Sequence, residues 1–220
     1  MKDSNCAYCV EGDKLDAFGI KITELPASKV YLFKEQSHLG RVIVASKFHV
    51  SELVDLTRRE RQDFMDDVTT VAAAIHKIFS PKKVNYGAFG DTGSHLHFHL
   101  VPKYENDDFE WGTTFAMNPK RKFLSAKEYA EITANFRGEL YLGNGFDFRK
   151  SLSRMHRDIV ADGKIDFYET SILLKALAPL ESSGASIAKF VKMLREVRSD
   201  GVISDEESAA LIKAMEELLV

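Results

Sequence analysis

The chain has 220 residues and carries 30 Lys and Arg against 33 Asp and Glu, a formal net charge of −3. This near balance argues against broad binding to nucleic acid or to a membrane surface, because either partner needs a concentrated basic face. No stretch approaches the roughly 18 apolar residues of a transmembrane helix. The polar residues 1–5 are unlike a signal peptide, so the expected location is the cytoplasm. The length exceeds that of most single domains, so a second, smaller unit is expected.

The first feature along the chain is a pair of cysteines, Cys6 and Cys9, which are its only two. In an intracellular protein a Cys-x-x-Cys pair is either a redox motif or half of a tetrahedral zinc site, and unligated thiols are the third alternative. The βαβ pattern that accompanies the redox motif does not surround this pair. Zinc is therefore the favoured interpretation, and it requires two more ligands from elsewhere in the chain.

The predicted elements after this pair are two β-rich runs, a long helix, a further strand and a second helix. They cover residues 29–33, 41–45, 58–79, 84–88 and 125–136. The long helix begins with a capping box of Thr57 and Glu60 and ends at Ser80-Pro81. The second helix is expected to break at Gly138. Strands mixed with helices in this order indicate an α+β class.

The most informative segment is the run of residues 95–101, in which histidine occupies every second position until residue 99. Because side chains alternate between the two faces of a strand, His95, His97 and His99 line one face, and the apolar residues between them point into the core. An imidazole serves as a nucleophile, an acid or base, or a metal ligand, according to the partner of its other nitrogen. The alternative is a strand whose histidines face solvent, or a plain metal site. Under that alternative the strict alternation of the three histidines would be a coincidence. The strand is expected to end at Pro102.

A glycine-rich polar loop, residues 85–94, precedes the triad and can bring backbone N–H groups close to an anion. Three histidines alternating with apolar residues, with Asn85-x-Gly87 upstream, are the signature of the histidine-triad (HIT) nucleotide hydrolases and transferases, which this chain resembles. The resemblance extends from about Cys6 to Asn118 and is closest to the small zinc-binding bacterial branch. It implies an antiparallel five-stranded sheet with helices, a HIT-like domain over residues 1–148, and a symmetric homodimer.

The resemblance also assigns the chemistry. The middle histidine, His97, attacks the α-phosphorus of a nucleotide substrate, and a covalent nucleotidyl-histidine forms before water releases the nucleoside monophosphate. The second nitrogen of that imidazole donates to a backbone carbonyl in the triad region. His99 and the N–H groups around Gly93 and Ser94 stabilise the non-bridging oxygens, and His95 completes the triad. The substrates implied are nucleoside phosphoramidates and dinucleoside polyphosphates.

Other residues stand where the family contacts its substrate. They are Asn85, Thr92, Glu35 or Gln36, and Trp111. The first two positions make polar contacts to the phosphate or the ribose, and the next pair meets the ribose hydroxyls. The tryptophan position sends an aromatic side chain toward the nucleotide of the partner subunit, although a ring that packs under its own loop is an equal alternative.

The resemblance supplies the two missing zinc ligands as well. Zinc-binding relatives use the histidine of the segment that is Ser46-Lys47-Phe48-His49 here, together with the first histidine of the triad. The implied structural site is Cys6, Cys9, His49 and His95. Such a zinc clamps the N-terminus onto the triad strand. Four protein ligands leave no open position, so a hydrolase that uses zinc-bound water is the weaker interpretation.

Two positions depart from the family pattern. Arg41 stands where many relatives have histidine, and it either pairs with a phosphate or faces solvent. Asp91 stands where several relatives have glutamine, near the leaving group. A carboxylate there repels a polyphosphate but can help to protonate an amine, which favours phosphoramidates or other small leaving groups. The alternative to an enzyme is a nucleotide-binding or scaffold protein with little turnover, whose helical tail carries the biological role.

From about residue 151 the pattern changes to short helices, and an Asp-Gly-x-Ile turn at 162–165 recurs at 200–203. Residues 151–220 are therefore predicted to form a small all-α domain, whose protein partner is unknown. Two calcium loops are one interpretation, but Val160 and Arg198 stand at ligand positions and offer no side-chain oxygen. Helix capping explains the same residues through glycine C-caps and capping boxes at Asp166–Glu169 and Ser204–Glu207. The segment is also weakly similar to small acidic helical domains of the tellurite-resistance type.

Overall fold

The structure, a computed structural model, describes residues 3–90, 93–105, 111–112, 121–142 and 148–219. The chain divides into two compact units, residues 1–133 and 134–220. The sequence pattern places the boundary between residues 148 and 151. In the structure the second unit begins earlier, within a helix that the sequence analysis assigns to the first domain.

The first unit is built on a five-stranded antiparallel sheet. Its strands are β1 (Gly19–Glu24), β2 (Ser28–Phe33), β3 (Val42–Ser46), β4 (Lys83–Gly87) and β5 (His97–Lys103). They lie in the order β1-β2-β3-β5-β4, so the triad strand β5 is an interior strand between β3 and β4. The two β-rich runs form the predicted antiparallel pair β2 and β3. The α+β class and the HIT-like sheet are confirmed.

Helices accompany this sheet. They are α1 (Ala7–Val10), α2 (Asp13–Asp16) and α3 (Arg58–Phe79), with a 3-10 turn at Leu53–Asp55 and the start of α4 (Ala126–Leu142). The capping box of Thr57 and Glu60 is present, and α3 ends at Ser80 in the left-handed region with φ 48°. The apolar stripe of α3 packs on the sheet, where the rings of Phe64 and Phe98 lie 6.0 Å apart. None of the helices in the described part of the chain is long and apolar enough to cross a membrane.

The turn between β2 and β3 requires glycine at position 40. Gly40 has φ 87°, and a Cβ there would lie 2.8 Å from the ring of Phe79 at the end of α3. The side chain of Gln36 bridges the turn, because its Nε2 donates to the carbonyl of Arg41 (2.9 Å) and its Oε1 accepts from the N–H of Gly40 (2.8 Å). The backbone of Arg41 is therefore fixed directly before the start of β3.

Two boundaries predicted from the sequence are wrong. The triad strand continues through Pro102, which pairs with Val84 on β4. The ring costs no ladder hydrogen bond because Pro102 faces the β3 side, and β3 pairs only as far as Leu100. Gly138 lies inside α4, which continues to Leu142.

The second unit is all-α. Beyond the end of α4 it contains α5 (Phe148–Ile159), α6 (Phe167–Leu177), α7 (Ala185–Val197) and α8 (Asp205–Glu217), with 3-10 turns at Val160–Asp162 and Ala178–Ser183. Gly163, with φ 78°, ends the 3-10 turn that follows α5. Gly201, with φ 81°, lies in the turn after α7, whose C-cap is Arg198 and not the predicted glycine. Asp166 and Ser204 each form the expected capping box with the glutamate three residues on, so this part of the capping prediction is confirmed.

Candidate active site and metal centre

The histidine triad lies at the start of the interior strand β5. His97 and His99 are strand residues and share one face, and His95 precedes the strand. His95 and His97 are buried, and His99 is half-buried. The apolar residues between them, Leu96, Phe98 and Leu100, are buried as well. The alternation predicted from the sequence therefore places imidazoles on one face and apolar groups on the other.

The geometry around His97 leaves one of its nitrogens available to a substrate. Its Nδ1 lies 2.6 Å from the backbone carbonyl oxygen of His95. A carbonyl oxygen can only accept, so Nδ1 carries the proton and Nε2 keeps its lone pair. Burial lowers the pKa of His97 below its ordinary value, because desolvation outweighs the hydrogen bond to the His95 carbonyl. A neutral imidazole with a bare Nε2 is the form that a nucleophile requires.

The neighbouring imidazole has a different partner. Nδ1 of His99 lies 3.2 Å from Nη2 of Arg41. Burial, and after it the positive charge of Arg41, lowers the pKa of His99 to about 3. Arg41 itself is only 3% exposed, which excludes the solvent-facing alternative, and its guanidinium stacks 4.3 Å from the ring centroid of Phe33.

These side chains line a cavity of about 710 Å³. The triad and Arg41 line it together with aromatic rings. The rings that line it are those of Tyr8, Phe18, Phe33 and Phe89. Tyr8 lies 4.9 Å from the His97 ring, and Phe33 lies 5.6 Å from the His99 ring. Gly93 and Ser94 also line the cavity, at the place expected of the phosphate loop. A cavity lined by both aromatic rings and a few polar groups suits a ligand that has a flat ring and a polar or anionic group.

Next to the triad, Cys6, Cys9, His49 and His95 bring four ligand atoms within 4.8 Å of one another. The two His Nδ1 atoms are 3.2 Å apart, and the nearest Sγ···Nδ1 distances are 3.3, 3.3 and 3.7 Å. A tetrahedral zinc with ordinary bond lengths needs about 3.3 Å between nitrogens and about 3.6 Å between sulfur and nitrogen. The donor set and its spacing therefore fit zinc.

An outer contact fixes the orientation of one histidine of this cluster. Nε2 of His95 donates to the carbonyl oxygen of Ser46 (2.8 Å), which leaves Nδ1 as the ligand atom and holds the imidazole in the tautomer that a metal requires. Nε2 of His49 lies 3.8 Å from a carboxylate oxygen of Asp3, which is too long for a hydrogen bond.

A carboxylate that sequence reasoning missed secures the same N-terminal turn. Glu11, with φ 56°, follows α1 and accepts from Nζ of Lys29 (2.5 Å), Nζ of Lys21 (3.2 Å) and the hydroxyl of Tyr31 (3.1 Å). Tyr8 was also missed, although its place inside the Cys-x-x-Cys turn was a usable signal. Cys6 and Cys9 flank Tyr8 in the sequence, and both lie close to His95 in the cluster. The ring between them therefore lies beside the triad.

The remaining predicted contacts are distributed differently. Within the described part of the chain, Asn85, Glu35, Gln36 and Trp111 are not among the residues that line the cavity. Glu35 is buried and accepts from the backbone N–H groups of Ser37 and Lys122, so it supports the chain near Arg41. Trp111 is 54% exposed, and Nζ of Lys103 lies 5.7 Å from its ring centroid.

Two further predicted residues, Asp91 and Thr92, lie outside the described residues. Asn85 is a half-buried residue of β4 that pairs with Val101. The structure thus brings the triad, Gly93 and Ser94 together with Arg41.

Comparison with known proteins agrees with this geometry. Residues 25–106 match the HIT domain family. A histidine triad protein from Bradyrhizobium japonicum aligns with a TM-score of 0.54 at 22% identity, over 59% of this chain and 96% of its own. A histidine triad protein from Marinobacter aquaeolei VT8 aligns with a TM-score of 0.54 at 20% identity, over 59% of this chain and 94% of its own. No curated protein matches the chain. At these identities the structural likeness establishes the fold, and the HIT domain match covers residues 25–106, which is less than half of the chain.

Proposed function

We propose that this protein is a nucleotidyl hydrolase that acts on the α-phosphate of nucleoside phosphoramidates or dinucleoside polyphosphates and releases a nucleoside monophosphate. The HIT domain match supports nucleotide-binding hydrolase or transferase chemistry in general. The observation that carries the finer proposal is the hydrogen bond from Nδ1 of His97 to the carbonyl of His95, which leaves Nε2 as a nucleophile facing the cavity.

The proposed reaction has two steps. Nε2 of His97 attacks the α-phosphorus, a P–N bond forms, and the bond from phosphorus to the leaving group breaks with its electron pair on the leaving atom. Water then attacks the same phosphorus and restores the imidazole. His99 and the backbone N–H groups near Gly93 and Ser94 stabilise the non-bridging oxygens as charge develops on them.

We also propose that the Cys6, Cys9, His49 and His95 cluster holds one zinc ion per chain. Its role is structural, since four protein ligands complete the tetrahedron. It fastens the turn that carries Tyr8 to the sheet, next to His97. The chemistry of the reaction stays with the imidazoles.

A symmetric homodimer in the cytoplasm completes the proposal. β4 is the edge strand beside the triad strand, and its residue Tyr86 is exposed. An edge strand presents backbone groups to which a second copy can pair. Light scattering in solution measures the mass, and a monomer would refute the dimer without touching the catalytic proposal.

The catalytic proposal is tested with a panel of adenosine and guanosine phosphoramidates and dinucleoside polyphosphates. His97→Ala is expected to lower turnover by several orders of magnitude, and His76→Ala, a substitution on α3 outside the cavity, is the matched control. Alkaline quench of the wild type during turnover should trap a nucleotide bonded to His97, detected by mass spectrometry, because a P–N bond to imidazole survives base and not acid. Monophosphate release without this adduct refutes the covalent mechanism. Tight nucleotide binding without release points instead to a nucleotide-binding scaffold.

A further inference from the structure

The contact between Arg41 and His99 has a chemical consequence that depends on hydrogen-bond direction alone. A guanidinium has five N–H donors and no acceptor, so Arg41 can only donate to Nδ1 of His99 across the 3.2 Å that separate them. Nδ1 must then hold a lone pair, and the ring proton resides on Nε2. A protonated His99 would turn an N–H of its own toward the guanidinium, which this contact does not permit.

Arg41 is well placed to enforce this state. Burial lowers its pKa to about 10, which still leaves the guanidinium protonated at neutral pH. Its guanidinium contacts both the Phe33 ring and the His99 ring. Its backbone is fixed by the side chain of Gln36 and by its own N–H, which donates to the carbonyl of His38 (3.0 Å). The two adjacent imidazoles therefore have opposite tautomers: His97 offers a lone pair at Nε2, and His99 offers an N–H there.

We propose that Arg41 is a positioning residue that locks His99 as a neutral hydrogen-bond donor, and that the site therefore selects substrates whose leaving group departs as a stable anion. The substrate class is the anhydrides of a nucleoside monophosphate with phosphate, sulfate or a second nucleotide, in preference to phosphoramidates of basic amines. The inference rests on the proposed nucleotidyl transfer to His97, and it narrows the substrates of that reaction to one of their two classes.

The balance of the first step explains the selection. With an anhydride, the new bond from Nε2 of His97 to phosphorus forms, the P–O bond breaks, and the oxygen leaves with the electron pair and needs no proton. With a phosphoramidate, the P–N bond breaks, and a basic amine leaves only if an acid protonates its nitrogen. A neutral His99 stabilises non-bridging oxygens but is a poor source of that proton.

Among the residues that the structure describes, no other side chain in the cavity is placed to act as the general acid for a leaving amine. Among the described residues that line the cavity, Asp3 is the only carboxylate, and it lies beside His49 in the metal cluster. The fixed positive charge of Arg41 in the wall favours a departing anion over a departing cation. Both effects act in the same direction.

The first experiment reads the tautomer directly. Histidine side-chain 15N NMR of the purified, metal-loaded protein should show His99 as the neutral Nε2–H form from pH 6 to 8. Arg41→Met removes the donor, and Arg41→Gln keeps an N–H donor without charge, so the first should release the tautomer and the second should retain it. A His99 that is protonated at pH 6, or that carries its proton on Nδ1 in the wild type, overturns the proposal even if neither variant folds.

The second experiment compares two small leaving groups on one nucleotide, adenosine 5′-phosphosulfate and adenosine 5′-phosphoramidate. A missing general acid is worth about 100-fold or more, so the wild type should favour the phosphosulfate in kcat/KM by at least that factor. Arg41→Met should reduce the ratio about tenfold or more. Arg59→Met, at an exposed position on α3, is the matched control and should leave it unchanged.

The outcomes separate the two proposals. Equal or faster cleavage of the phosphoramidate by the wild type overturns the anhydride preference while the nucleotidyl hydrolase proposal stands. Cleavage of neither compound, nor of any substrate in the wider panel, refutes the proposed function and the substrate preference with it. The NMR result then decides the role of Arg41 alone.

Discussion

Loss of one metal ligand tests how the N-terminal turn is attached to the sheet. In Cys6→Ser the cluster keeps three of its four ligands, and zinc affinity falls because a closed structural site uses all four. The turn then loses its link to His49 and His95. The main packing at stake is the ring of Tyr8, which is buried against the histidine wall.

The size of the loss of stability depends on which contacts of the turn need the metal and which remain without it. Burial of an aromatic side chain stabilises by about 1.5–3 kcal/mol. The Glu11 ion pairs with Lys21 and Lys29 remain after metal loss, and as partly exposed pairs they contribute at most about 1 kcal/mol each. For a unit of this size 1 kcal/mol corresponds to about 3–5 °C in Tm. Cys6→Ser should therefore lower Tm by about 5–15 °C and leave the sheet folded.

Elemental analysis and calorimetry check this prediction. Purified wild type should contain one zinc per chain, Cys6→Ser should contain little, and chelator should give the wild type the Tm of the variant. Val10→Ser is the control, because Val10 is an exposed neighbour of the turn and not a member of the cluster. A metal-free wild type with the Tm of the purified protein would refute the clamp. A Cys6→Ser chain without sheet structure would show that the metal is needed for the fold itself.

Four further predictions concern the rest of the molecule. Tyr8→Ala should lower kcat by a larger factor than it changes KM, because the ring of Tyr8 packs on His97. Tyr8→Phe keeps the ring and should restore kcat, as measured by steady-state kinetics. Neutral His99 contributes stability that is present above about pH 6.5, its unfolded pKa, and that is lost as pH falls toward its folded pKa of about 3. His99→Asn should therefore flatten the fall of Tm between pH 6 and 4, measured as a difference from wild type, and parallel curves would contradict the assignment. Deletion of residues 134–220, the second compact unit, should leave hydrolysis largely intact because the lining residues of the cavity lie in the first unit, and calorimetry of the full chain should detect at most millimolar calcium affinity. Saturating nucleotide should quench Trp111 emission in the dimer, and an unchanged signal would argue against a role across the subunit interface.

Local patterns predicted the elements that local interactions determine. The helix over 58–79 was predicted to the residue, because its first turn is satisfied by the Thr57–Glu60 capping box and its end is marked by Ser80 followed by Pro81. By contrast, β1 had no strong β-rich run of its own and entered only through the resemblance. Its register shift between Lys21 and Thr23 depends on pairing with β2, which lies beyond any local window.

The two wrong boundaries have the same physical origin. A glycine inside a helix costs about 1 kcal/mol relative to alanine, and that cost is offset at Gly138 because the neighbouring α4 residues Leu140 and Tyr141 are buried. Pro102 lacks an N–H, but the neighbouring strand ends before it would need one. In both cases tertiary contacts decide whether the local preference prevails.

The candidate site divides in the same way. Spacing alone predicted the shared face of the triad histidines and the pairing of Cys6 with Cys9. The other two members of the cluster, His49 and His95, came from the resemblance to the family.

For His97 the resemblance implied a backbone carbonyl as the partner of one nitrogen, and the carbonyl of His95 has that place. The protonation state of His99 was beyond the sequence, because it depends on the group that faces its Nδ1. For His99 that group is Arg41, which directly precedes β3. The sequence left Arg41 either as a partner of a phosphate or as a solvent-facing side chain, and only its burial in the structure decides between the two.

His95 accounts for how the proposed structural metal and the proposed nucleophile share one short segment. Its side chain belongs to the metal cluster, with Nδ1 toward the ligands and Nε2 on the carbonyl of Ser46. Its backbone carbonyl instead accepts from Nδ1 of His97 and fixes the nucleophile's tautomer. That carbonyl stays in place as long as β5 stays paired with β3, whether or not the metal is bound. Metal loss should therefore reduce stability before it reduces the chemical step, and the residual effect on turnover should come through Tyr8, the one ring that the metal-bound turn lays on His97.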